Sequence, residues 1–163
     1  MKHYLSILLV IFSTFHLHSR HILGGYMTYE CLGDGDFKFM LHVYRDCACT
    51  DCADFDGIAD IGIYNCNWEE CSDLNQSSFM FRLQVPLKEV KTIDTNVEGI
   101  CQNINGICIE EGIYEFRLSD YGALLPPIED DYFIVYQRLC RYVLDNNIED
   151  SENRGKTLFS RIT

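Results

Sequence analysis

The chain has 163 residues, room for one domain and one real core, since a chain of this size buries roughly two thirds of its unfolded surface. With 47% hydrophobic and 23% charged residues, 10 Phe, 10 Tyr and only 3 Pro, it is too apolar and aromatic for a disordered polypeptide. Its net charge of −12 repels phosphate backbones and anionic lipid surfaces, which excludes nucleic acid as an expected partner.

Residues 1–19 have the layout of a signal peptide. Met1-Lys2-His3 is followed by an apolar run from Tyr4 to Phe15 and then by polar residues up to the small Ser19, after which cleavage is expected. The run falls short of the roughly 20 residues that a membrane-spanning helix needs, and no later segment is longer, so no transmembrane segment is expected. Residues 20–163 are then one exported domain.

From Tyr26 onward the sequence alternates with the period of two that marks half-buried strands, interrupted by Gly, Asp and Asn. Tyr26–Leu32, the turn Gly33-Asp34-Gly35-Asp36 and Phe37–Arg45 form an expected β-hairpin, because the turn residues tolerate positive φ. A loop from Asp46 to Gly57 leads to a strand over Ile58–Tyr64, with Ile61 and Ile63 on one face. A second loop, Asn65–Gln76, holds Cys66, Cys71 and the single Trp68. Ser78–Val85 alternates through Phe79, Phe81, Leu83 and Val85 up to an edge or bend at Pro86, and Leu87–Ile93 is a further strand candidate. Glu111-Gly112 introduces a strand over Ile113–Leu118, Leu124-Leu125-Pro126-Pro127 is a rigid connection, and Tyr132–Tyr142 and Lys156–Ile162 are the last two strands. Seven or eight short strands predict an all-β fold, an antiparallel immunoglobulin-like sandwich braced by disulfides.

Nine cysteines in an exported chain are expected to be mostly paired, with one left over: Cys31, Cys47, Cys49, Cys52, Cys66, Cys71, Cys101, Cys108 and Cys140. Cys47-Ala48-Cys49-Thr50-Asp51-Cys52 is dense enough to suggest zinc, yet the other thiols are scattered and the compartment oxidising; disulfides are the expectation. The C-x-x-C spacing within it lacks the strand-to-helix context of a redox pair. Cys101 and Cys108, close together beside a strand start, are expected to bridge locally.

Asp54-Phe55-Asp56-Gly57-Ile58-Ala59-Asp60 imitates part of a calcium loop, making Asp54, Asp56 and Asp60 the candidate cation ligands. Asn65 stands where the loop's bidentate Glu belongs, and a plain Asp-Gly turn accounts for the segment. His16, His18 and His21 cluster around the export signal, where two are lost on cleavage. No Gly-x-Ser-x-Gly elbow, phosphate loop or His-Glu-x-x-His motif occurs, so no catalytic residue and no cofactor is expected. Neighbouring carboxylates such as Glu69-Glu70, Glu110-Glu111 and Asp130-Asp131 point to opposite faces of a strand and read as solvated surface. Asn75-Gln76-Ser77 matches a glycosylation acceptor, and the 13% aromatic content leaves room for a sugar-stacking platform besides the core.

Five blocks occur in an order that resembles a family: His21-Ile22-Leu23-Gly24-Gly25 after the signal peptide, Tyr29-Glu30-Cys31-Leu32-Gly33, Tyr44-Arg45-Asp46-Cys47, Cys108-Ile109-Glu110-Glu111-Gly112-Ile113-Tyr114 and Tyr136-Gln137-Arg138-Leu139-Cys140-Arg141. Together they look like the N-terminal domain of large secreted surface proteins of Bacteroidota, which carry PKD or immunoglobulin-like repeats and a gliding-motility-associated C-terminal sorting domain. The family's last block has adjacent cysteines where this chain has Leu139-Cys140, which implies one unpaired cysteine. Repeats and a sorting tail do not follow within these residues, so the expectation is a short or truncated copy whose further domains are missing. The resemblance implies a structural or adhesive role at the cell surface, with a surface protein or a glycan as partner. The alternative is a carbohydrate- or calcium-binding module of a larger secreted enzyme.

Overall fold

The computed structural model describes residues 22–48, 54–67, 78–93, 108–127, 130–138 and 155–163. Among the described residues eight strands follow one another: β1 (Ile22–Gly33), β2 (Asp36–Asp46), β3 (Ile58–Cys66), β4 (Phe79–Pro86), β5 (Glu89–Ile93), β6 (Ile109–Arg117), β7 (Asp131–Arg138) and β8 (Lys156–Ile162). The only helical element among the described residues is a 3-10 turn, Leu118–Tyr121, after β6. No helix among them is long and apolar enough to cross a membrane.

All pairings are antiparallel, and the strands form two sheets, β1-β2-β6-β5 and β4-β3-β7-β8. The chain lays two strands in the first sheet, two in the second, two in the first and two in the second. This is the strand order of an immunoglobulin-like sandwich. A further hallmark is present: Tyr132, at the start of β7, donates its hydroxyl to the Pro126 carbonyl six residues upstream at 2.7 Å. The inter-sheet disulfide of antibody domains is not, because apolar Leu41 and Ile134 occupy the middles of β2 and β7.

Alternation builds the core. Phe39, Leu41 and Val43 on β2, Ile61 and Ile63 on β3, Tyr114 and Phe116 on β6 and Ile134 and Tyr136 on β7 are buried between the sheets. Phe39 stacks on Phe116 with ring centroids 5.0 Å apart. On one flank β8 closes against β1. Ser160 donates its hydroxyl to the Met27 carbonyl at 3.1 Å, Lys156 Nζ reaches the Leu23 carbonyl at 2.6 Å, and a side chain at Gly25 would strike the His42 carbonyl and Leu158. On the other flank Pro86 ends β4 and the chain crosses to β5 in the other sheet, the bend expected there.

Three local expectations change. Gly112 lies inside β6, paired with Val43 and Val90, and does not introduce the strand: a glycine is required because the Phe55 ring lies where a Cβ would stand. A register shift between Ile63 and Tyr64 sets Phe79 opposite Tyr64, so Phe79 leaves the core alternation and packs edge-on against Tyr64 at 5.5 Å, 41% exposed. Cys108 is bonded to Cys47, not to Cys101. β2 and β6 pair through Asp46 and Ile109, which sets the cysteine just beyond each strand end beside the other, with Cα atoms 4.9 Å apart.

Candidate functional site

Chemistry-bearing residues gather in three places. At the sandwich end that carries Cys47–Cys108, the segment Asp54-Phe55-Asp56 forms a latch in which Phe55 is buried and Asp56 half-buried while the Asp54 side chain stays exposed. Arg45 at the end of β2 donates Nη1 to Asp54 Oδ1 at 2.6 Å and Nε to Glu110 Oε2 at 2.7 Å, with its guanidinium 5.0 Å above the Phe55 ring. Phe55 is only 8% exposed, which the bare backbone at Gly112 permits. Tyr114 donates to the Asp56 carbonyl at 2.7 Å, Tyr136 to Asp56 Oδ2 at 2.6 Å, and Arg138 Nη2 to the Asp54 carbonyl at 2.8 Å. Side chains from both sheets therefore converge on three residues of one loop. Burial first, and then the Asp56 charge, pushes the Tyr114 phenol up to about 12 and raises Tyr136 further, so both remain hydroxyl donors.

This latch absorbs two of the three cation-ligand candidates. Arg45 holds Asp54 Oδ1, Tyr136 and Arg138 hold the two Asp56 carboxylate oxygens, and Asp60 is exposed on β3 opposite Gln84. Among the described residues no group of three His, Cys, Asp or Glu side chains converges as metal ligands would. Of the cysteines, Cys66 is disulfide-bonded to a partner outside the described residues. Cys31, one of the nine of which a single cysteine was expected to be left over, is a free exposed thiol, and Phe37 stands opposite it on β2. Cys49, Cys52, Cys71, Cys101 and Cys140, together with the Asn75-Gln76-Ser77 acceptor, lie outside the described residues.

The second cluster lies on the outward face of the first sheet and is one that sequence reasoning missed. His42, 8% exposed, sits with Nδ1 2.7 Å from Glu111 Oε1, and Tyr44 donates to the same oxygen at 2.9 Å. Tyr26, 46% exposed, stacks on the imidazole at 4.5 Å with the ring planes 10° apart. Burial opposes ionisation of Glu111, but the His42 and Tyr44 hydrogen bonds outweigh it and hold its carboxyl below the usual range. Glu110 and Glu111 do point to opposite faces, but neither is merely solvated: one is paired with Arg45 and the other with His42. The period-two pattern assigned Glu111 outward correctly; its cross-strand neighbours depend on the β1-β2-β6 register, which a single sequence does not display.

The third place is a cavity of about 700 Å³ at the opposite, hairpin end. Asp34 and Gly35 of the β1–β2 turn, Phe37, the Leu124–Pro127 connection, Asp130, Tyr132, Ile162 and Thr163 line it. Its walls are fixed by two contacts. Leu125 N donates to the Gly35 carbonyl at 2.8 Å, so close that a Cβ at Gly35 would strike the Leu125 carbonyl, and the Tyr132–Pro126 hydrogen bond ties the diproline to β7. Asp36, beside the turn, is paired with Arg117 at 2.6 Å and accepts the Ser119 N–H at 3.1 Å, while Asp131 is paired with Arg161 at 2.6 Å. Asp34 and Asp130 have no such partner among the described residues.

These features define an immunoglobulin-like sandwich whose described residues pair extensively at the Cys47–Cys108 end and enclose an apolar cavity at the hairpin end. The chain matches no protein-family model, no curated protein and no solved structure.

Proposed function

We propose that this chain is a non-catalytic domain of a secreted protein, with a structural or adhesive role at the cell surface. The latch is the observation that supports this most directly. The carboxylates and phenols of the latch, Asp56, Tyr114, Tyr136 and Glu110, pair with one another and with Arg45 and Arg138, and on the outward face Glu111 is held by His42 and Tyr44, with Tyr26 stacked over the imidazole. In the cavity the carboxylates of Asp34 and Asp130 stand among apolar walls with Thr163 and with a Tyr132 hydroxyl already held by the Pro126 carbonyl, and no histidine, lysine or cysteine is among the lining residues. The signal-peptide layout of residues 1–19 and the cysteine load support export.

The test is made on cells. An epitope-tagged chain expressed in a Bacteroidota host is expected to be shaved from intact cells by added protease, and its deletion from the native host to reduce attachment to a surface. A tag retained in the cytoplasm, with Cys47 and Cys108 reduced, overturns the proposal. A second reading, a carbohydrate-binding module, is favoured by the exposed Tyr26 ring on its His42 support. Retention on an insoluble glycan that is lost in Tyr26→Ala would select it.

A further inference from the structure

We propose that the cavity at the hairpin end receives a lysine or arginine side chain of a partner polypeptide, its aliphatic stem against the apolar wall and its cationic head at Asp34 and Asp130. Only the partner's being a polypeptide rests on the surface-domain reading above.

The cavity is built before any ligand arrives. Leu125 is 2% exposed and hydrogen-bonded to a turn whose Gly35 has φ of 75°, Tyr132 is 5% exposed with its hydroxyl on Pro126, and Ile162 is 8% exposed. Its volume, about 700 Å³, falls in the range of sites that enclose ligands and exceeds what one side chain fills, leaving room for an apolar neighbour on the same segment. The apolar surface also continues past the mouth, since Leu124 is 53% exposed and Pro126 and Pro127 are exposed. A polypeptide flanking its basic residue with apolar ones covers that rim; a free amine leaves it wet.

Charge selects the occupant's head. Neighbouring Asp36 and Asp131 are neutralised by arginines, but among the described residues Asp34 and Asp130 have no ion-pair partner, in a chain of net charge −12. An anion is repelled by both the local and the summed field, and a wholly apolar ligand strips water from two carboxylates and returns nothing. Lysine and arginine carry the required combination of hydrocarbon stem and cationic head.

The disulfide-bonded protein, ¹⁵N-labelled, is titrated with the acetylated, amidated pentapeptide Ala-Leu-Lys-Leu-Ala, with versions carrying glutamate or norleucine in place of the lysine, and with butylamine. The lysine peptide is expected to shift the amides of Phe37, Leu125 and Tyr132 and to saturate, while the glutamate peptide leaves them unmoved. Asp34→Asn with Asp130→Asn is expected to weaken the lysine peptide by about 5- to 10-fold without unfolding the protein, because asparagine tolerates the φ of 52° at position 34. Leu124→Ala, at an exposed site, weakens the lysine and norleucine peptides alike. Norleucine binding as tightly as lysine, butylamine binding as tightly as the pentapeptide, or no saturable shift at these amides each overturns the proposal. None of those results touches the surface-domain reading, which is decided on cells.

Discussion

Gly112→Ala is the sharpest probe of how this fold holds its loop. An added Cβ would stand 2.7 to 2.9 Å from three atoms of the Phe55 ring, so the ring must leave its seat. Eviction forfeits most of a phenylalanine's burial, about 1.5–3 kcal/mol, and the stacking under Arg45, about 0.5–1 kcal/mol. The lower backbone freedom of alanine in the unfolded chain returns about 0.4–1 kcal/mol, which leaves a net loss of about 1–3 kcal/mol. For a chain of this length that lowers Tm by about 2–4 °C per kcal/mol.

The same contact predicts non-additivity. Phe55→Ala alone costs about 3–5 kcal/mol, and in that background Gly112→Ala meets open space and is neutral or stabilising. Urea unfolding of the four proteins, with disulfides intact and m-values compared, is expected to give a coupling of about 2–4 kcal/mol. Costs that add within about 0.5 kcal/mol refute the idea that Gly112 is there to seat Phe55.

Replacing Cys47 and Cys108 together by alanine opens a cross-link spanning 61 residues and is expected to cost about 2–4 kcal/mol, read as the shift in urea midpoint; peptide mapping without reductant should find these two joined, and Cys108 joined to Cys101 would contradict the β2–β6 register. Tyr136→Phe removes a donor from Asp56 and is expected to cost about 1–2 kcal/mol; an unchanged midpoint means the latch bears no strain. Stability is also expected to fall between pH 10 and about 12. Tyr114 keeps its proton there in the fold but loses it in the unfolded chain, so a raised folded pKa favours unfolding as pH climbs through that window, and Tyr114→Phe should flatten the decline. On the acid side the fold loses support as pH drops. Burial opposes ionisation of Asp36, but Arg117 and the Ser119 N–H outweigh it and hold its pKa below the ordinary 3.8; its contribution is complete above that value and disappears as pH falls through the folded one. An acid slope unaltered by Asp36→Asn would count against this.

What the sequence displays is whatever depends on neighbours along the chain. The Gly33-Asp34-Gly35 turn is legible because all three residues adopt positive φ, 94°, 52° and 75°, and their types say so. The faces of β2 and β3 are legible because alternation survives intact from Phe37 to Val43 and from Ala59 to Ile63. What it hides is set by register between distant strands. Cys101 is near Cys108 in sequence, yet the partner is Cys47 because β2 and β6 end together. Gly112 imitates a turn residue until the ring from position 55 is known. Phe79 satisfies the alternation by type and breaks it by a bulge that its own strand does not announce. His42 escaped notice altogether, since nothing local marks a histidine whose acid lies 69 residues away.

The same distinction decides where function is sought. The densest polar sequence, from Arg45 through Asp56, drew attention to metal and redox chemistry, but folding turns density into mutual satisfaction: the cations and hydroxyls that could make those carboxylates useful are the ones that neutralise them. At the hairpin end two carboxylates, Asp34 and Asp130, have no ion-pair partner among the described residues and stand beside apolar walls. A buried charge already paired gains little from a ligand and loses much by exchanging its partner, whereas an unpaired carboxylate at a cavity mouth has everything to gain from a cation that also brings hydrocarbon. Availability after folding, rather than abundance along the chain, is therefore what marks the cavity, among the described residues, as the place proposed for a contact with another molecule.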